Sequence, residues 1–151
     1  MRVLIQRVSQ ASVTVQERRV GEIGAGLLVL LGISHDDRQE DIDWLVKKIT
    51  QLRIFSDSEG KMNLSVEDIR GGILVVSQFT LYADSKKGNR PSYIRSAPPA
   101  VSIPLYEQFL GTLRSRLQGP VEAGVFGARM EVSLVNDGPV TLLLDSKQQD
   151  F

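Results

Sequence analysis

The stretch Leu27-Leu28-Val29-Leu30-Leu31-Gly32-Ile33 is apolar almost from end to end. A half-exposed strand alternates polar and apolar positions, so a continuous run of this kind, with Gly26 before it, reads as a central strand covered on both faces. A second run, Ile73-Leu74-Val75-Val76-Ser77-Gln78-Phe79-Thr80-Leu81-Tyr82, predicts another such strand over 73–82, interrupted by three polar residues. Upstream of the first run the apolar positions alternate: Val3, Ile5 and Val8, then Val13 and Val15, then Val20 and Ile23. That spacing predicts half-buried strands, four in all within the first 34 residues. Gly21, Gly24, Gly26 and Gly32 punctuate turns there, and no helical pattern follows them as a phosphate-binding loop requires.

Between the two runs, Ile42, Leu45, Val46, Ile49 and Leu52 fall at helical spacing, which predicts an amphipathic helix from Gln39 to about Phe55. Asp37 with Glu40 makes its start, and Trp44 is explained by packing on the sheet. A second helix is expected from Pro99 or Ser102 to Leu117, with Tyr106, Phe109, Leu110 and Leu113 on one face, Pro104 in the first turn, and Gly119 and Pro120 ending it. Two last strands, Arg129–Val135 and Val140–Leu144, are expected to be joined by an Asn136-Asp137-Gly138-Pro139 hairpin turn. Helices do not alternate regularly with strands, and no repeat or linker divides the chain. The expected fold is therefore α/β, one mixed domain over 1–151, with a strongly twisted, barrel-like sheet and two helices on one face.

Composition narrows the function. With 18 basic and 18 acidic residues the net charge is zero, which argues against a general binder that neutralises many phosphates. Lys86, Lys87, Arg90 and Arg95 still permit a local RNA-facing patch, although a solvated loop is the plainer reading. The absence of cysteine excludes thiolate chemistry, and the single histidine, His35, leaves no imidazole pair for a metal. No metal and no cofactor are expected. Nothing at the N-terminus reads as a signal peptide and no apolar run approaches the roughly 20 residues a bilayer demands, so a cytoplasmic protein without a membrane span is expected.

Ser77, Gln78 and Thr80 sit in an apolar run, where an unpartnered polar group costs roughly 1–3 kcal/mol. Alternation turning Ser77 to one side and Gln78 and Thr80 toward solvent explains each residue alone; the length of the apolar run instead favours a pocket lined by their hydrogen-bonding groups. A serine or threonine nucleophile requires an adjacent base. Only His35 offers an imidazole, and its place after a strand end suits capping or a surface role.

Six segments, in order along nearly the whole chain, resemble D-aminoacyl-tRNA deacylases: Met1-Arg2-Val3 through Gln6-Arg7-Val8, Gly26 to Gly32, Ser77-Gln78-Phe79-Thr80-Leu81, Arg90-Pro91-Ser92-Tyr93, Gly124-Val125-Phe126-Gly127-Ala128-Arg129-Met130, and Asn136-Asp137-Gly138-Pro139-Val140-Thr141. The resemblance implies hydrolysis of the ester between a D-amino acid, or glycine, and the terminal adenosine of tRNA. It implies a homodimer, catalysis at Ser77, Gln78, Phe79 and Thr80, and a Gly138-Pro139 cis unit that enters the partner's pocket and rejects L side chains. Phe126 and Met130 are expected around adenine, with core packing an equal explanation. The 2′-hydroxyl of that adenosine is the implied proton carrier. Two rivals stay open: a Ser77 or Thr80 nucleophile, and a non-catalytic RNA-binding dimer.

Overall fold

A computed structural model describes residues 1–150. Eight strands and two α-helices follow in the order β1 (Arg2–Val15), β2 (Arg18–Ile23), β3 (Gly26–Gly32), α1 (Gln39–Gln51), β4 (Phe55–Ser56), β5 (Met62–Leu64), β6 (Gly72–Ser77), α2 (Pro99–Arg116), β7 (Val121–Ala123) and β8 (Glu131–Asp145). The expected mixed domain with a nearly closed, barrel-like sheet is present.

The long strand β1 organises it. Its first half pairs antiparallel with β3, from Arg2 opposite Gly32 to Val8 opposite Gly26, and its second half pairs with β2, from Ala11 opposite Ile23 to Val15 opposite Arg18. β8 runs along its other edge, from Arg2 opposite Asp145 to Thr14 opposite Glu131. Parallel pairings then add β6 to β3 and β7 to β6. The two apolar runs are thus neighbours, and they cross so closely that a Cβ on Gly26 would lie 1.9 Å from the Gly72 carbonyl oxygen. Both faces of β3 and β6 are covered, as their continuous hydrophobicity requires. Leu27, Val29, Leu31, Ile73 and Val75 meet the helices; Leu28, Leu74 and Val76 meet Val8, Ala11, Val13 and Ile23 of the curled sheet. Ile42, Leu45, Val46 and Ile49 of α1 are fully buried, each contributing on the order of 1.5–3 kcal/mol.

Several boundaries differ from expectation for identifiable reasons. There are three strands before residue 34, because Ser9-Gln10-Ala11-Ser12 contains no glycine, proline, asparagine or aspartate and β1 continues through it with shifted register against β8 near Gln6–Gln10. Helix α1 stops at Gln51, and its first N–H is capped by Asp41, which accepts from the Arg38 N–H at 2.8 Å, while Asp37 turns back to the Met1 ammonium and the Ser34 N–H. Phe55 belongs to β4. Pro104 falls in the second turn of α2, because the helix already begins at Pro99; the carbonyl four residues earlier, at the exposed Ala100, is left to solvent. The predicted strand over 73–82 ends at Ser77, and Phe79–Tyr82 forms a 3-10 turn. The Asn136–Pro139 segment is not a hairpin. β8 continues in one direction on both sides of it, so these residues form an outward excursion within one strand. The Gly138–Pro139 peptide bond within it is cis.

Candidate active site

Where β6 ends, the chain leaves the sheet and opens a cavity of about 560 Å³. One wall is the strand end and turn, Val76, Ser77, Gln78 and Phe79; another is the loop into α2, with Tyr93, Ser96 and Ser102; the third is the segment before β8, with Phe126 and Met130. The site is built from backbone already committed to the core. Gln78 N–H donates to Leu31 O at 2.7 Å, anchoring the turn to β3, and the following bonds run from Leu81 N–H to Gln78 O and from Ala83 N–H to Thr80 O. None of them uses the Phe79 N–H, which is left free at the cavity wall. Ser96 Oγ donates to Phe79 O at 2.7 Å, and the Phe79 ring meets Tyr93 edge-on at 5.1 Å, so the turn and the loop hold each other. Phe79 nonetheless remains 57% exposed, an apolar ring at the mouth.

The expected site residues divide into three groups. Ser77, Gln78, Phe79, Phe126 and Met130 line the cavity together. Thr80 is not part of the lining; its hydroxyl accepts a hydrogen bond from Gln78 Nε2. Gly138 and Pro139 do not line this cavity; they are exposed on the excursion of β8. That excursion is held from beneath. Arg7 Nε donates to Asp137 O at 2.7 Å, and Asn136 Nδ2 donates to Arg7 O at 2.9 Å and Val140 O at 3.3 Å. A Cβ on Gly138 would lie 2.3 Å from Asn136 Oδ1. Phe126 also packs edge-on against Tyr106 at 5.4 Å, and Met130 packs on the inner core, so both are core and cavity residues at once. Tyr93, Ser96 and Ser102 were not singled out individually by the sequence; only the Arg90-Pro91-Ser92-Tyr93 motif pointed near them.

The chemistry of the lining is set by what it contains: hydroxyls, one carboxamide, backbone groups and aromatic rings. Among the described residues, no aspartate, glutamate, lysine, arginine or histidine lines it. The charges gather instead in a second cavity of about 420 Å³, beyond the same turn, lined by Arg2, His35, Asp36, Tyr82, Arg95, Asp145 and Lys147 among others. There Arg2 Nε donates to Asp145 at 2.7 Å and Lys147 Nζ to the buried Asp41 at 2.8 Å. Burial raises the Asp145 and Asp41 carboxyls, but the bonds from Arg2 and the Lys147 N–H to Asp145, and from Lys147 and Ser146 to Asp41, outweigh it and hold both below the ordinary carboxylate value. Burial pushes the Tyr82 phenol well up, between the guanidinium groups of Arg2 and Arg95 at 4.7 and 5.8 Å. His35 Nε2 is paired with Ile94 O at 3.0 Å and remains exposed, far from any hydroxyl nucleophile in its bonding. Among the described residues, no three acidic, histidine or cysteine side chains come together as a metal site, and no helix is long and apolar enough to cross a membrane.

The comparisons with known proteins agree with one another. The model of a family described as D-Tyr-tRNA(Tyr) deacylase matches residues 4–145. A D-aminoacyl-tRNA deacylase of Flavobacterium psychrophilum is 57% identical over 150 residues, which cover 99% of this chain and 100% of that protein. Another, of Chloroflexus aurantiacus, is 58% identical over 148 residues, covering 98% of this chain and 92% of that one. Among solved structures, the c-Myc DNA Unwinding Element Binding Protein superposes with a TM-score of 0.91 at 43% identity, over 96% of this chain and 98% of the other. A probable eukaryotic D-amino acid tRNA deacylase shares the fold, with a TM-score of 0.77 at 21% identity.

Proposed function

The chain belongs to the D-Tyr-tRNA(Tyr) deacylase family, and from that premise we propose that the larger cavity hydrolyses the ester of D-aminoacyl-tRNA with backbone groups and the substrate's own hydroxyl. Its activity class is that of a D-aminoacyl-tRNA deacylase, a hydrolase acting on aminoacyl-tRNA, so tRNA is the substrate. The cytoplasm, where charged tRNA is used, is the proposed location.

One observation carries the mechanism: a cavity of this size without a single carboxylate, amine or imidazole in its lining. Ester hydrolysis needs a donor where negative charge develops on the carbonyl oxygen and a group that moves a proton. The free Phe79 N–H supplies the donor, with Ser77 lining the same wall and the Gln78–Thr80 bond fixing the turn. Water attacks the ester carbon, the bond to the 3′-oxygen breaks, and the 2′-hydroxyl of the terminal adenosine relays the proton to the leaving 3′-oxygen. Phe126 and Met130 flank the adenine. A threonine nucleophile is disfavoured because Thr80 is outside the lining and its hydroxyl is bonded to Gln78 Nε2, and a serine nucleophile by the lack of a charged base or imidazole in the lining with Ser77.

Chiral selection is assigned to a second copy of the chain. Gly138 and Pro139 are exposed on a braced projection that its own subunit does not use. In a homodimer that projection enters the partner's cavity, where its carbonyls accept the substrate ammonium and fill the volume an L side chain needs. A D side chain, or the hydrogen of glycine, points away, so glycyl-tRNA is also a substrate. Rejection by fixed backbone is steric discrimination between partners.

Incubation with D-tyrosyl-tRNA, L-tyrosyl-tRNA and glycyl-tRNA tests this reading directly: the first and third are hydrolysed and the second survives. Equal rates on the D and L esters would remove the chiral function. Sedimentation at micromolar concentration is expected to show a dimer, and a fully active monomer would overturn the shared site. The solved relative that is 43% identical is known as a DNA-binding protein, which favours a nucleic-acid-binding dimer as the second reading; binding of tRNA with no turnover of any ester would select it.

A further inference from the structure

We propose that the segment from Asp84 to Arg95 is the surface that holds the phosphates of the tRNA 3′ strand while the terminal adenosine occupies the larger cavity. The proposal rests on the tRNA reading above and names where the rest of the substrate lies. Lys86, Lys87, Arg90 and Arg95 are all exposed, and none forms an ion pair among the described residues. Most other charges near the site are already paired: Arg2 with Asp145, Lys147 with Asp41, Arg7 with Asp137. The only acid between residues 79 and 98 is Asp84, and its carboxylate accepts from the Lys86 N–H at 2.9 Å rather than from a side-chain cation. Cations without an ion pair also lie elsewhere, Arg129 beside Met130 among them, but this loop sets three of them, Lys86, Lys87 and Arg90, within five residues of one another and just before Tyr93.

That loop is fastened to the cavity rim. Asp84 and Ser92 exchange two backbone hydrogen bonds of 2.8 Å and close its base. Directly after the closure, Tyr93 and Ser96 line the larger cavity and Arg95 lines the smaller one, over the Tyr82 ring. Ser96 ties the segment to Phe79, and His35 ties it through Ile94 O. Arg90 is three residues from Tyr93, at most about 10 Å of chain. Three nucleotides at about 3.4 Å of rise each cover the same span, so an adenosine seated against Tyr93 brings the phosphates just upstream of it alongside these cations. The acidic stretch Asp36–Asp43, whose Asp36 lines the smaller cavity, would repel the strand, which favours this loop as its path.

The test is the Lys86→Ala/Lys87→Ala/Arg90→Ala variant, measured in three ways: binding of uncharged tRNA across a range of salt, hydrolysis of D-tyrosyl-tRNA, and hydrolysis of D-tyrosyl-adenosine, which has the ester and the nucleoside but no phosphate. We expect tRNA binding to weaken at least about tenfold near 0.1 M salt and the slope of log affinity against log salt to shrink by about two, from roughly 0.7 per phosphate contact on a single strand. The rise in KM for D-tyrosyl-tRNA follows it, while D-tyrosyl-adenosine is hydrolysed as by the wild type. The charge-conserving Lys86→Arg/Lys87→Arg/Arg90→Lys variant retains tRNA binding. Unchanged tRNA binding and salt slope overturns the proposal, and so does an equal loss on both esters, which would mean the loop only shapes the cavity. Preference of the wild type for duplex DNA over tRNA would replace the partner. If the wild type hydrolyses neither ester while the variant still loses tRNA, the deacylase reading falls and the phosphate surface stands.

Discussion

The two cavities share the Phe79–Tyr82 turn as a wall and differ in almost everything else. The larger has no ionisable acid or base from aspartate, glutamate, lysine, arginine or histidine; the smaller is crowded with them. In and beside the smaller cavity several charges are bound to one another and tie the two ends of the chain together, Arg2 to Asp145, Lys147 to Asp41, and the Met1 ammonium to Asp37 and Ser146. Titratable clusters in clefts often mark catalytic sites, but ion-pair networks that hold a fold look the same by composition. On the reading proposed above, the cleft that looks chemically rich is structural, and the chemically poor one faces the substrate. An enzyme can manage this when the reacting groups come from backbone amides and from the substrate.

The sharpest way to break that contrast is to take the substrate's contribution away. D-tyrosyl-tRNA ending in 2′-deoxyadenosine, charged on its 3′-oxygen, should bind but lose at least about 100-fold in single-turnover hydrolysis, since acid-base assistance is typically worth about 10² to 10⁴. Normal hydrolysis of this substrate would mean that the larger cavity holds a proton carrier after all. Next in size is Gly138→Val. Its side chain would displace Asn136, which cannot move without giving up its bonds to Arg7 and Val140. A shift of about 1 Å in the projection can cost about 100-fold, so hydrolysis of D-tyrosyl-tRNA should fall by that order while circular dichroism stays unchanged. Undiminished activity would reduce the excursion to a surface irregularity.

The smaller cavity should respond in stability rather than rate. Asp145→Ala leaves Arg2 without its partner and should lower unfolding free energy by about 3 kcal/mol, the lower end for a broken buried pair, with kcat unaltered below the melting transition. Asp41 and Asp145 have folded pKa values below the unfolded value of 3.8. Their stabilisation is therefore fully present above about pH 4 and disappears as pH falls through the lowered folded values. Thermal unfolding from pH 7 down to 2 should show a flat region and then a steep decline, made shallower by Asp41→Asn combined with Asp145→Asn. The smallest effects belong to the hydroxyls. Ser77→Ala and Thr80→Ala, each keeping the Phe79 N–H, should retain activity within about tenfold, the scale of one modest neutral hydrogen bond; complete loss in Thr80→Ala would restore the threonine nucleophile.

Much of this molecule was legible as pattern. Continuous apolarity marked β3 and β6 because both of their faces are covered, and the 3.6-residue period marked α1 and α2 because each buries one stripe. Ser77, Gln78, Phe79, Phe126 and Met130 were named from the sequence, and they meet in one cavity. Phe79–Tyr82 was read as strand because its residues favour strands, yet the chain curls there once β3 has no more partners to offer. Asn136–Pro139 carries every turn residue and still does not turn, because β1 supplies a partner before and after it. Local propensity cannot see either influence, since both come from a neighbour more than forty residues away.

The sequence by itself determined the layers, the central strands and the poverty of acid-base side chains, which follow from residue type and spacing along the chain, and six of its segments resembled the family. Only the tertiary structure decided that the Phe79 N–H has no partner among the described residues, that Thr80 is outside the lining of the larger cavity, that paired charges collect around the other cavity, and that Gly138 and Pro139 lie exposed and outside both linings. These depend on which strand ends lie side by side after the sheet has curled, and that geometry is set by packing between distant segments rather than by any one of them.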